Sequence, residues 1–201
     1  MSDNLVFVNG TQEKIRVAIF RRPFLRPSLG TFAWRIVAPR VGGGEEVPVP
    51  STYEVFLNYP GPDHDHTDPN AGNQTAKIPI ESFTSRFLAR SGGHGTVEIE
   101  QVFEDLIPGQ LAIVNQAATG VWGHVTQGES DIYRPQVLPP GSTLLEADPG
   151  ATFFFAIVSG PVREGSLLAN EEISSTTTPM VPGQVARVTG SVWTGYEITV
   201  K

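Results

Sequence analysis

The stretch APRVGGGEEVPVPSTYEVFLNY (38–59) reads as a Pro/Gly turn, a short strand, a second Pro turn and an aromatic-rich strand. β-Branched and aromatic residues set between Gly and Pro mark short strands, because such side chains suit a pleated sheet while Gly and Pro supply the turns. Comparable runs lie on either side: LVFVN (5–9), KIRVAIF (14–20), FAWRIVA (32–38), SRFLAR (85–90) and TVEIEQVF (96–103). They continue through QLAIVN (110–115), STLLEA (142–147), TFFFAIV (152–158), QVARV (184–188) and YEITV (196–200). No comparable helical periodicity competes with them, so the expected fold is all-β. The 21 glycines and 17 prolines are scattered between these runs, a distribution that indicates many turns and not one disordered tract.

The opening stretch has a counterpart. LPPGSTLLEADPGATFFFAIVS (138–159) repeats its order of turn, strand, turn and aromatic strand. NLVFVNGT (4–11) likewise sits over QLAIVNQA (110–117), with Val8-Asn9 meeting Val114-Asn115. FLARSGGHGTVEIE (87–100) sits over QVARVTGSVWTGYEITV (184–200), sharing Ala-Arg, a Gly turn and a closing strand. Three matched blocks in one order predict a β-sandwich built from two tandem, internally duplicated repeats of about 100 residues. The expected domains are 1–105 and 106–201, with a boundary near Asp105 to Gln110. After its aromatic strand each repeat carries a long insert, 60–77 and 160–180, and such inserts are where function is expected.

Several chemistries drop out. The chain has no cysteine, which removes disulfides, thiolate zinc sites, iron–sulfur clusters and a cysteine nucleophile. No apolar run is long enough for a membrane-spanning helix, and Met1-Ser2-Asp3-Asn4 is not a signal n-region, so a soluble, cytoplasmic protein is expected. GGGEE (42–46) lacks the strand-loop-helix context of a phosphate loop, and no nucleophile elbow or dinucleotide fingerprint is present. Glu98 and Glu100 share a strand face and read as solvated charge.

One stretch is rich in ligand atoms. Asp63, His64, Asp65, His66 and Asp68 in DHDHTD (63–68) could hold a divalent cation, with His94 or His124 completing a three-histidine set. That arrangement underlies an alternative reading, a metal-dependent enzyme or ion-binding protein. The flanking prolines instead suit a solvated loop, and His124, alternating with Trp122 on a strand, reads as a packed residue.

The charge layout is uneven. From Lys14 to Arg40 there are seven basic residues and no acidic one, a window of +7 in a chain of net charge −7. Arg21, Arg22, Arg26 and Arg35 are therefore the expected contact residues for an acidic partner surface or a second copy of the chain. Nucleic acid fits poorly, since the remaining −14 would repel a polyanion. Trp34, Trp122 and Trp193 could stack on sugars, a carbohydrate-binding alternative, but each lies in an apolar run and core packing is expected. The favoured function is a non-catalytic binding or assembly module using residues 14–40 and the insert loops, with no resident cofactor.

Overall fold

The computed structural model describes residues 4–23, 25, 30–61, 68–70 and 72–201. Their secondary structure is almost wholly β, with eighteen strands and two short 3-10 turns. The chain divides into two compact units, and each draws on both halves of the sequence. Unit 1 comprises residues 1–22, 28–50 and 149–201, and unit 2 comprises 23–27 and 51–148. The compact units therefore do not follow the expected division into 1–105 and 106–201.

Unit 1 begins with β1 (Asn4–Asn9), β2 (Val17–Arg21), β3 (Phe32–Val37) and β4 (Gly44–Pro48). It is completed by β15 (Phe153–Ile157), β16 (Thr178–Met180), β17 (Val185–Ser191) and β18 (Gly195–Val200). Two four-stranded sheets result, in the orders β18-β17-β1-β4 and β16-β15-β2-β3. β1 runs parallel to β17 and antiparallel to β4, a mixed arrangement possible only because β17 arrives from the far end of the chain. Alternation along β1 turns Leu5, Phe7 and Asn9 inward, where Phe7 meets Phe155 of the other sheet edge to face at 5.1 Å.

Unit 2 is formed by β5 (Tyr53–Tyr59), β6 (Asn73–Gln74), β7 (Ile78–Ile80), β8 (Ser85–Ser91) and β9 (Val97–Val102). To these it adds β10 (Gln110–Asn115), β11 (Val121–Gln127), β12 (Ser130–Asp131), β13 (Gln136–Leu138) and β14 (Thr143–Ala147). One sheet has the order β14-β10-β8-β9; the other is built around the β11–β5 pair, with β12 and β13 along β11 and β6 and β7 along β5. β10 is parallel to β8 and antiparallel to β14. The sheets approach closely at Gly123, where a Cβ would come within 3.3 Å of Ile113 and Leu138.

A buried asparagine closes the end of the central strand in each unit. Asn9 Nδ2 donates to the carbonyls of Glu13 (2.9 Å) and Pro39 (3.1 Å), and its Oδ1 accepts from Thr11 N (3.0 Å). Asn115 Nδ2 donates to Thr119 O (2.9 Å) and Leu138 O (2.7 Å), and its Oδ1 accepts from Ala117 N (2.9 Å). The backbones match as well. Gly42 N–H bonds to Asn9 O and Asn9 N–H to Gly43 O, while Gly141 N–H bonds to Asn115 O and Asn115 N–H to Ser142 O. An amide side chain suits this place because it offers two donors and an acceptor to backbone groups that leave the ladder.

Candidate functional site

Several cations of residues 14–40 have specific partners, and those of Arg16 and Arg35 lie in the 160–180 insert. β2 is buried on both faces, so residues 17–20, VAIF, run continuously apolar where a half-exposed strand would alternate. Ala18 and Phe20 on its outer face pack with Ala156 and Val158 of the sheet region and with Val162 and Leu168 of the insert. Polar groups seal the cover. Arg16 donates to the carbonyls of Gly160 and Val162, Arg35 pairs with Glu164 at 3.3 Å, and Glu164 also accepts from Ile36 N (3.1 Å). Ala33 N–H bonds to Ser166 O and Leu168 N–H to Thr31 O. The insert is thus a lid on unit 1's own sheet, and it supplies the carbonyls that receive Arg16 and the counter-charge for Arg35.

Arg21 corrects the expectation of a contact residue. Its side chain points inward and is only 2% exposed. One guanidinium nitrogen donates to Gly150 O (2.6 Å) and Thr152 O (3.0 Å), and the group lies 3.5 Å from the Phe153 ring centroid. A planar, weakly hydrated cation with several donors can be buried in this way when carbonyls and an aromatic face receive it. Its neighbour Arg22 points the other way and is exposed, with its guanidinium 4.2 Å from the Phe154 ring. Arg35 is occupied by Glu164, as above, and Arg26 lies outside the described residues. Between them, Leu25 donates its backbone N–H to the buried Glu146 carboxylate at 2.8 Å within unit 2.

In unit 2 the outer face of the β11–β5 pair carries a polar cluster. The His124 ring, 1% exposed, stacks on Phe56 at 4.5 Å. Its Nδ1 contacts the Asp131 carboxylate at 3.1 Å and its Nε2 the Pro69 carbonyl at 3.1 Å. Asn58 Nδ2 donates to the same Pro69 carbonyl at 2.7 Å. Both ring nitrogens therefore face protein oxygens, and His124 is not presented as a metal ligand. Asp63, His64, Asp65 and His66 lie outside the described residues. Asp68 lies within them, and its Oδ1 accepts from Asn70 N at 2.8 Å in a short turn. His94 is exposed in the 93–95 turn with φ 57°. Among the described residues, no three His, Asp or Glu side chains gather as a metal-binding group.

Two surface features remain. An open cleft of about 450 Å³ runs along the outer face of β8 and β9, lined by Arg86, Leu88, Arg90, Glu100, Val102 and Phe103. Its arginines pair with Asp105 and Glu100, each at 3.0 Å. The second feature is the β17–β18 hairpin tip, where Trp193 is 92% exposed and Val192 is 58% exposed. Trp193 corrects the expectation of core packing. It lies beyond the last strand pair, Ser191 with Gly195, where no second layer covers it. Trp34 does pack in the core, 5.1 Å from Phe153, and Trp122 is half-buried.

Compared with protein-family models, with curated proteins and with solved structures, the chain matches none of them. Among the described residues no helix is long and apolar enough to cross a membrane. Fold and surface together define an all-β protein of two units, each a pair of facing sheets, with an exposed aromatic tip on one.

Proposed function

We propose that the chain is a non-catalytic binding or assembly module, built from two copies of one unit of about 100 residues that have exchanged strands. The one-for-one correspondence of the Asn9 and Asn115 turns supports the two copies. So does the repeated order of a central strand held between a parallel and an antiparallel neighbour, β17-β1-β4 and β8-β10-β14. Pro79 and Pro179 also take the same place in the edge strands β7 and β16, opposite Glu54 and Phe154. In this reading residues 1–105 supply β1–β4 to unit 1 and β5–β9 to unit 2, and residues 106–201 supply the complements.

The observation that carries the binding reading is how the cations of 14–40 divide. Arg16, Arg21 and Arg35 are engaged by the fold, whereas Lys14, Arg22 and Arg40 are exposed. Unit 1 contains nine basic and eight acidic residues, and unit 2 contains five basic and thirteen acidic ones. The exposed cations thus belong to a unit of net charge +1, in a chain whose other unit carries −8 and offers a complementary surface on a second copy. Sedimentation velocity at low and high salt tests this. Association that weakens with salt and is lost in an Arg22→Glu/Arg40→Glu variant is the expected outcome. A monomer at every salt concentration would refute assembly through these cations.

A further inference from the structure

Nothing in the fold calls for an indole at the β17–β18 tip, and unit 2 contains the control. Its β8–β9 hairpin occupies the corresponding place and closes through Gly92, Gly93, His94 and Gly95. That hairpin closes over five residues, 92–96, without a large apolar side chain, where β17–β18 closes over three, 192–194. Trp193 and Val192 instead expose apolar surface, which costs roughly 25 cal/mol for each Å² that could be buried.

The tip is also held in shape. Gly190 has φ +85°, and a Cβ there would come within 2.2 Å of the Gly195 carbonyl oxygen, so the two strands close tightly beneath the tip. Val192 N–H donates to Glu13 Oε1 at 2.7 Å, tying the tip to the β1–β2 loop. The Ser191 and Thr194 hydroxyls hydrogen-bond to each other at 2.9 Å. The Tyr196 phenol bonds to Glu13, and burial, that bond and the Glu13 charge all raise its pKa. A tip whose backbone is closed by these bonds is ordered before any ligand arrives, which reduces the entropy lost on binding.

We infer that the Trp193 tip is a carbohydrate-binding platform, taking the C–H face of a neutral pyranose ring on the indole and its hydroxyls on Glu13, Ser191 and Thr194. This rests on the reading of the chain as a binding module. Sugar is favoured by the rim, which combines hydroxyls with a carboxylate. Glu13, which accepts from Val192 N–H, sets a negative charge beside the tip, and this does not suit an anionic lipid surface.

Full-length protein and a Trp193→Ala variant are to be tested for retention on cellulose, chitin and insoluble β-glucan, with tryptophan fluorescence followed on titration with the matching soluble oligosaccharides. The expected result is retention on at least one matrix, weakened tenfold or more in the variant. Because the ring is exposed, the variant should keep the wild-type melting temperature, which separates lost binding from lost folding. Failure to bind any of the three matrices, or equal retention by wild type and variant, would overturn the inference. If Trp193→Ala abolished self-association in sedimentation and left no sugar binding to explain, the platform would be a contact between copies: the sugar inference would fall and the binding-module reading would stand.

Discussion

Replacing Asn115 with Ala removes a side chain that satisfies three backbone groups at once. Leu138 O and Ala117 N are fully buried and Thr119 O partly so, and no alanine atom can replace the bonds they lose. A buried backbone group left without its partner costs about 1–3 kcal/mol, so two of them set the loss at roughly 2–6 kcal/mol. Against a typical total of about 5–15 kcal/mol, that is a large share of the stability. Asn9→Ala should fall in the same range, since Asn9 makes the same three backbone bonds and also accepts from Thr11 Oγ1 at 2.7 Å. Asn115→Asp should be no milder, because it keeps the acceptor for Ala117 but turns a carboxylate oxygen toward two carbonyls. Urea unfolding followed by circular dichroism measures these losses as a fall in midpoint at constant slope. A loss below about 0.5 kcal/mol in either alanine variant, the range of an ordinary surface substitution, would refute the reasoning.

Two further outcomes follow from the same geometry. A protease site placed in the exposed 104–109 loop and cut after folding should leave fragments that co-elute at the mass of the intact chain and part only in denaturant. Each unit pairs strands from both fragments, as β1 with β17 and β10 with β8, so separation into two half-size species would contradict the topology. Tyr196 predicts an alkaline effect. Its folded pKa is raised, so above the ordinary phenol value of about 10 the unfolded chain releases its proton first and stability falls as pH rises. The stability of Tyr196→Phe should decline less steeply between pH 9 and 11.5 than that of the wild type, and parallel curves would show that the phenol contributes nothing.

Neighbouring residues show what could be read from the sequence. Local signals sufficed for the strands: Leu5, Phe7 and Asn9 alternate inward as the run LVFVN implies. The pairing of Val8-Asn9 with Val114-Asn115 picked out the two buried turns, because an asparagine that must serve three backbone groups leaves the same residue at the same strand end. Arg21 and Arg22 look alike in a sequence and have opposite fates, since strand alternation alone does not say that the inward face will supply carbonyls and a ring for a cation. The 160–180 insert reads as a contact surface because it is long and follows an aromatic strand, and nothing local marks Val162 and Leu168 as a cover for β2. The signal that could have exposed its role was the basic run itself, seven cations whose counter-charge had to come from elsewhere, with Glu164 waiting in the insert. Trp193 misled through its apolar neighbours, for a hairpin tip lies outside the layer those neighbours build.

The order in which the chain leaves the ribosome gives this topology a further consequence. Unit 2 can close once residue 148 has emerged, whereas β1 to β4, finished by residue 48, have no complete sheet until β17 and β18 are made. At about 5–20 residues per second, the roughly 150 residues still to come take on the order of 8–30 s. Through that interval the inward faces of Leu5, Phe7, Ile19 and Trp34 lack their full cover, so the first strands synthesised are the last to be sheltered.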